Sequence, residues 1–134
     1  MPTILIIDDE AGIRYIGRMV FSQRQWTVIE AENGEQGLQM LAEHHPDIIL
    51  LDYRLPDMLG SDWLCAAKKI SQSPVVLVSA SSELATLSHH PGVAAALAKP
   101  FRLEKLWQTV QGVLPTPAKG SVTVNTDPPP GRGR

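Results

Sequence analysis

Residues 46–52 read PDIILLD, an apolar run that ends in an aspartate. Four further short apolar runs occur along the chain, at residues 4–7, 26–29, 75–78 and 95–97. Most of these runs are continuously apolar rather than alternating, which is typical of strands buried on both faces of a parallel sheet. The last run is alanine-rich and is the weakest strand signal of the five.

Stretches with helical spacing of apolar residues separate these runs. The clearest faces are Ile13, Ile16, Met19 and Val20 in the first stretch and Leu103, Leu106, Trp107, Val110 and Val113 in the last. The stretch 81–90 is short and polar, and it predicts the weakest helix. Strands that alternate with amphipathic helices indicate an α/β fold. We therefore expect a doubly wound, five-stranded parallel sheet with five helices.

The chain has 134 residues, which suits one domain. From Pro115 onward the composition changes, because residues 115–134 contain five prolines and three glycines and show no periodicity. Such a segment buries too little apolar surface to fold. We predict one domain over residues 1–114 and a disordered Pro/Gly-rich tail over residues 115–134.

Charge and cysteine content narrow the functional classes. Residues 1–114 hold 13 acidic and 9 basic side chains, so a broad contact with nucleic acid phosphates is not expected. The single cysteine, Cys65, has no disulfide partner within the chain and is expected to be buried. The chain has no basic leader and no apolar stretch of about 18 residues, so we expect a cytoplasmic protein without membrane contact.

Polar residues follow four of the predicted strands. They are Asp8, Asp9 and Glu10 after the first, Asp52 after the third, Ser79 after the fourth, and Lys99 with Pro100 after the fifth. Open parallel sheets bind ligands at the carboxyl ends of their strands, so these residues are expected to share one edge. Clustered carboxylates repel one another and are typical of a Mg²⁺ (or Mn²⁺) site. A lysine and a hydroxyl beside them suit a phosphoryl group, which Asp52 is placed to accept as a nucleophile.

With these residues, the chain resembles the receiver domain of bacterial two-component response regulators. The likeness covers about residues 3–114, and its five motifs occur in family order at residues 4–10, 30–38, 46–60, 74–80 and 97–101. It implies the flavodoxin-like receiver topology. It also implies that Asp52 is the phosphoacceptor and that the metal is bound directly by Asp9, mostly through water by Asp8, and by Asp52.

The same resemblance assigns four further positions. The backbone carbonyl of Arg54 would be a metal ligand, Ser79 would be the switch hydroxyl, and Lys99 would bind the phosphoryl group. The peptide bond before Pro100 would be cis, as a fixed feature of the fold. One position departs from the family, because Ala96 stands where an aromatic switch residue is usual. The usual aromatic readout of phosphorylation is therefore not expected here.

The sequence thus predicts a receiver that accepts a phosphoryl group from a histidine kinase or phosphotransfer protein in a Mg²⁺-dependent reaction. It would catalyse only its own phosphorylation and dephosphorylation, and would signal through a downstream partner or a fused output domain, with a homodimer as a further possibility. Alternatives are a receiver fragment of a longer transcription regulator or hybrid kinase, and an unphosphorylated binding module. A phosphatase or dehalogenase would need an aspartate two positions after Asp52, where Arg54 stands.

Overall fold

The computed structural model describes residues 1–80, 82 and 89–114, which form one parallel sheet flanked by helices. The strands pair in the order β2-β1-β3-β4-β5, and every pairing is parallel. Their bounds are β1 Thr3–Ile7, β2 Thr27–Ala31, β3 Ile48–Asp52, β4 Val75–Ala80 and β5 Val93–Lys99. The predicted doubly wound sheet of five parallel strands is confirmed.

The described residues contain four helices: α1 Ala11–Ser22, α2 Gly34–His44, α3 Gly60–Ala67 and α4 Leu103–Val113. The helix predicted over residues 81–90 lies mostly outside the described residues, and so does the tail predicted over residues 115–134. No helix in the described part of the chain is long and apolar enough to cross a membrane.

Two apolar clusters cover the two faces of the sheet. Successive side chains of a strand point to opposite faces, so Leu5 and Ile7 enter one cluster while Ile4 and Ile6 enter the other. Trp63 of α3 packs in the first cluster, whose helices are α2 and α3, and the second lies under α1 and α4. The continuous apolar runs in the sequence follow from this, because both faces of the central strands are buried.

The turn chemistry explains where α2 begins and ends. The side chain of Asn33 accepts a hydrogen bond from the amide of Gln36 (2.7 Å), which caps the first turn. His45 at the other end adopts the left-handed conformation, with φ 47°, and its amide donates to the carbonyl of Leu41. The two caps set the ends of α2.

Two local features differ from what the sequence indicates. The expected burial of Cys65 was wrong, since its side chain is exposed on α3 while Trp63, Leu64 and Ala67 face the core. The β4–β5 register also shifts after Val75, where one extra residue is accommodated in the edge strand β5.

Candidate functional site

The carboxyl ends of β1, β3, β4 and β5 bring the predicted site residues to one edge of the sheet. One carboxylate oxygen each from Asp8, Asp9 and Asp52 lies within 4.8 Å of the others. Asp8 and Asp52 are buried, with relative exposures of 2% and 6%, whereas Asp9 is exposed. We call these three residues the acidic cluster. Ser79, which is also buried, lines the same cleft as Asp9, Asp52 and Lys99.

Lys99 joins the acidic cluster from β5. Its Nζ atom lies 3.1 Å from Asp8 Oδ2 and 3.4 Å from Asp52 Oδ2. It also donates a hydrogen bond to Glu10 Oε1 at 2.9 Å. Glu10 follows Asp8 and Asp9 in the chain, but the sequence carries no signal for its pairing with Lys99. A single ammonium group thus contacts three carboxylates.

The pKa values at the site follow from this crowding. Burial, together with the charge of Asp8, raises the pKa of Asp52 to about 6 despite the opposing effect of Lys99. Burial also raises the pKa of Asp8. Burial alone would lower the pKa of Lys99, but the hydrogen bond to Glu10 and the charges of Asp8 and Asp52 raise it. Lys99 therefore stays protonated at neutral pH, and Asp52 is a carboxylate whose charge is poorly compensated.

The remaining positions named by the resemblance lie around the same cleft. The amide of Arg54 donates a long hydrogen bond of 3.4 Å to Asp52 Oδ1, and Arg54 lines the cleft. The peptide bond between Lys99 and Pro100 is cis. Ala96 pairs with Leu77 of β4 in the middle of β5, and its side chain is partly buried.

Asp57, in the loop between β3 and α3, forms its hydrogen bonds with α2 and not with the acidic cluster. Asp57 accepts hydrogen bonds from the amides of Gly34 (2.8 Å) and Glu35 (2.9 Å), at the start of α2. The indole Nε1 of Trp63 donates to the carbonyl of Gly34 at 3.0 Å. We call Asp57 and Trp63 together the α2 anchor. It was not predicted, because each partner lies more than twenty residues away in the sequence.

The acidic cluster fits a divalent cation. The three carboxylates and Glu10 carry four negative charges, whereas the basic side chains described at this cleft, Lys99 and Arg54, carry two. The site therefore retains excess negative charge. Two of the carboxylates, Asp8 and Asp52, are buried, and an uncompensated charge is costly when it is removed from water. Oxygen ligands with one exposed member leave room for bound water, an arrangement that suits Mg²⁺ better than a softer metal.

Comparison with known proteins agrees with this geometry. Residues 4–111 match the family model described as the response regulator receiver domain. The chain therefore belongs to the receiver domain family of two-component signal transduction.

Among curated proteins, the chain is 34% identical over 115 residues to the sporulation initiation phosphotransferase F of Bacillus subtilis, covering 84% of this chain and 93% of that protein. It is 39% identical over 83 residues to the transcriptional regulatory protein KdpE of Mycobacterium tuberculosis, covering 62% of this chain but only 37% of that protein. A receiver domain protein of Clostridium thermocellum superposes with a TM-score of 0.76 at 24% identity, covering 84% of this chain and 94% of that one, which supports the fold.

Proposed function

We propose that Asp52 accepts a phosphoryl group in a Mg²⁺-dependent reaction, with a phosphohistidine of a histidine kinase or phosphotransfer protein as donor. The observation that carries this proposal is the contact of Lys99 Nζ with the carboxylates of both Asp8 and Asp52 inside the acidic cluster. A nucleophilic carboxylate, a set of cation ligands and a fixed positive charge thereby meet at one sheet edge.

In the proposed step, a carboxylate oxygen of Asp52 attacks the phosphorus of the donor. The new P–O bond forms as the P–N bond to the donor imidazole breaks, and the electron pair of that bond leaves with the imidazole. Lys99 stays close to the oxygens of the transferred group, because its Nζ already lies 3.4 Å from Asp52 Oδ2. Ser79 lines the same cleft and would hydrogen-bond the phosphoryl group from β4.

Asp8, Asp9 and Asp52, together with the backbone carbonyl of Arg54, would hold the cation. Bound Mg²⁺ supplies positive charge that offsets the repulsion between the acceptor carboxylate and the incoming phosphoryl oxygens. Although burial and the charge of Asp8 raise the pKa of Asp52, its value of about 6 leaves the side chain mostly ionised at neutral pH, as a nucleophile requires. Hydrolysis of the acyl phosphate by water would return the domain to its starting state.

The direct test is the intact mass of the protein after incubation with acetyl phosphate, with and without Mg²⁺. We expect one added phosphoryl group that requires both Mg²⁺ and Asp52, and that is lost in Asp52→Asn. The matched control is Asp57→Asn, which removes a carboxylate from the β3–α3 loop outside the acidic cluster and should keep the added mass. Absence of added mass beside an active receiver, or its persistence in Asp52→Asn, would contradict the proposal.

The output of the domain is a separate proposal. We propose that phosphorylation changes contacts with a partner protein or a fused output domain, without an aromatic switch at Ala96. The match covers 93% of one relative but only 37% of another, so both arrangements occur among similar proteins. Reading the native gene beyond the codon for Arg134 distinguishes them. Pull-down with and without a phosphoryl mimic tests the partner version, which equal sets of bound proteins would contradict.

A further inference from the structure

The loop after β1 is held by an arginine that lies outside the acidic cluster. Arg14, in the first turn of α1, donates a hydrogen bond from Nη1 to the backbone carbonyl of Asp8 at 2.7 Å. Its Nε lies 3.3 Å from Glu30 Oε1, and the side chain is only 15% exposed. The guanidinium group therefore ties the main chain of one acidic residue to β2.

We propose that Arg14 is a positioning residue for cation binding, which acts by fixing the backbone of the loop that carries Asp8 and Asp9. This inference rests on the proposed function, because it concerns the same cation. The amide of Asp8 donates to the carbonyl of Ala31 at 3.1 Å, so Arg14 and Ala31 hold the two sides of this residue's main chain. Both attachments lead to the end of β2.

The contact indicates positioning rather than charge compensation. The carboxylate of Asp8 is engaged by Lys99 and by the amide of Glu10, whereas Arg14 reaches the carbonyl. As a positive charge near the acids, Arg14 would by itself repel a cation. Removing it should strengthen cation binding if charge dominates, and weaken it if positioning dominates. The two explanations thus predict opposite signs.

Glu30 orients the guanidinium group. It pairs with Arg14 and also accepts from Arg18, one helical turn further along α1. Arg18 has the same charge and shares this partner, but its side chain is 49% exposed and none of its described contacts involves the β1–α1 loop. The chain therefore offers a matched control, in which the same charge is removed from the same helix face.

We would titrate the metal-free protein with Mn²⁺ and measure the free ion by electron paramagnetic resonance. The variants are Arg14→Gln, Arg14→Lys and Arg18→Gln, each checked for folding by circular dichroism.

Loss of groups that orient metal ligands typically weakens binding by about 10- to 100-fold. We expect Arg14→Gln to raise the Kd for Mn²⁺ by about 10-fold. Arg14→Lys should also bind more weakly although its charge is kept, because one ammonium group lacks the fork that reaches both partners. Arg18→Gln should bind as the wild type does.

The outcomes separate this inference from the proposed function. Wild-type binding with equal or tighter binding by both Arg14 variants would overturn the inference and leave the proposed function standing. Equal weakening in Arg18→Gln and Arg14→Gln would also overturn it, by revealing a general effect of α1. Failure of the wild type to bind Mn²⁺ would overturn both. If Arg14→Gln does not fold, Arg14→Lys against Arg18→Gln decides alone.

Discussion

Asp52 is the last residue of β3 and Asp57 lies in the loop that follows, but their surroundings affect the two carboxylates in opposite ways. Asp52, at the end of β3, is buried beside Asp8, and its pKa is raised to about 6. Asp57 is exposed, and hydrogen bonds from the amides of Gly34 and Glu35 outweigh its slight burial and lower its pKa. The surroundings of Asp52 therefore disfavour the ionised carboxylate, whereas those of Asp57 favour it.

The difference between the two pKa shifts distinguishes a carboxylate kept for function from one that stabilises the fold. A buried carboxylate with a raised pKa costs folding free energy at neutral pH, and a site retains it when the charge itself is needed. A carboxylate that caps a helix start stabilises the fold, because it satisfies amides that have no partner within the helix. Removing each carboxylate should therefore change the stability of the metal-free protein in opposite directions.

The largest effect is expected from Asp52→Asn in the presence of a chelator. A pKa of about 6 instead of 3.8 corresponds to about 3 kcal/mol of lost stability at neutral pH, taken as an upper value. Replacing Asp52 by the neutral amide should recover part of this and raise the free energy of unfolding in urea. An unchanged or lower value would show that the pair with Lys99 outweighs the cost of burial.

This gain should depend on pH with a defined sign. Because the folded-state pKa of Asp52 is raised, the folded protein binds more protons than the unfolded chain between about pH 4 and pH 6. The wild type therefore loses stability relative to Asp52→Asn as the pH rises through this window, and the two should converge below about pH 4. A difference that is constant from pH 4 to pH 7 would contradict the assigned cause.

Much of this arrangement could be predicted from the sequence, because it follows from strand order. Continuous apolar runs predict buried parallel strands, and residues that directly follow such strands must meet at one edge. Asp8, Asp9, Asp52, Ser79 and Lys99 were placed in this way, and the structure brings all five to one cleft region. The resemblance then supplied roles that spacing alone does not carry.

The contacts that depend on loop paths and side-chain reach could not be predicted. Asp57 reads as an ordinary loop acid until the structure brings it against Gly34. Arg14 appears only as a polar residue of α1, and nothing local indicates that it reaches the carbonyl of Asp8. The apolar neighbours of Cys65 in the sequence predict a buried side chain, but the helix turns it towards solvent.

The second largest effect is expected at Trp63, which forms the α2 anchor together with Asp57. Trp63 is fully buried, and its indole nitrogen donates to the carbonyl of Gly34. Trp63→Phe removes this hydrogen bond and leaves unfilled volume, so we expect a loss of about 2 kcal/mol in the free energy of unfolding. Urea unfolding followed by circular dichroism measures it. A loss below about 0.5 kcal/mol would show that neither the indole hydrogen bond nor the filled volume contributes much to stability.

The smallest effect, and the one that completes the comparison, is expected from Asp57→Ala. Loss of a capping carboxylate costs about 1 kcal/mol, so this variant should unfold at lower urea than the wild type. The folded-state pKa of Asp57 is lowered, so its contribution is present above the unfolded pKa of 3.8 and is lost as the pH falls below it. Asp57→Asn keeps one acceptor oxygen and should lie between the two. At pH 7 Asp57→Ala should therefore be less stable than the wild type, and Asp52→Asn should be more stable. Changes of the same sign in both variants would mean that a shared distortion of the chain outweighs the local surroundings of each carboxylate.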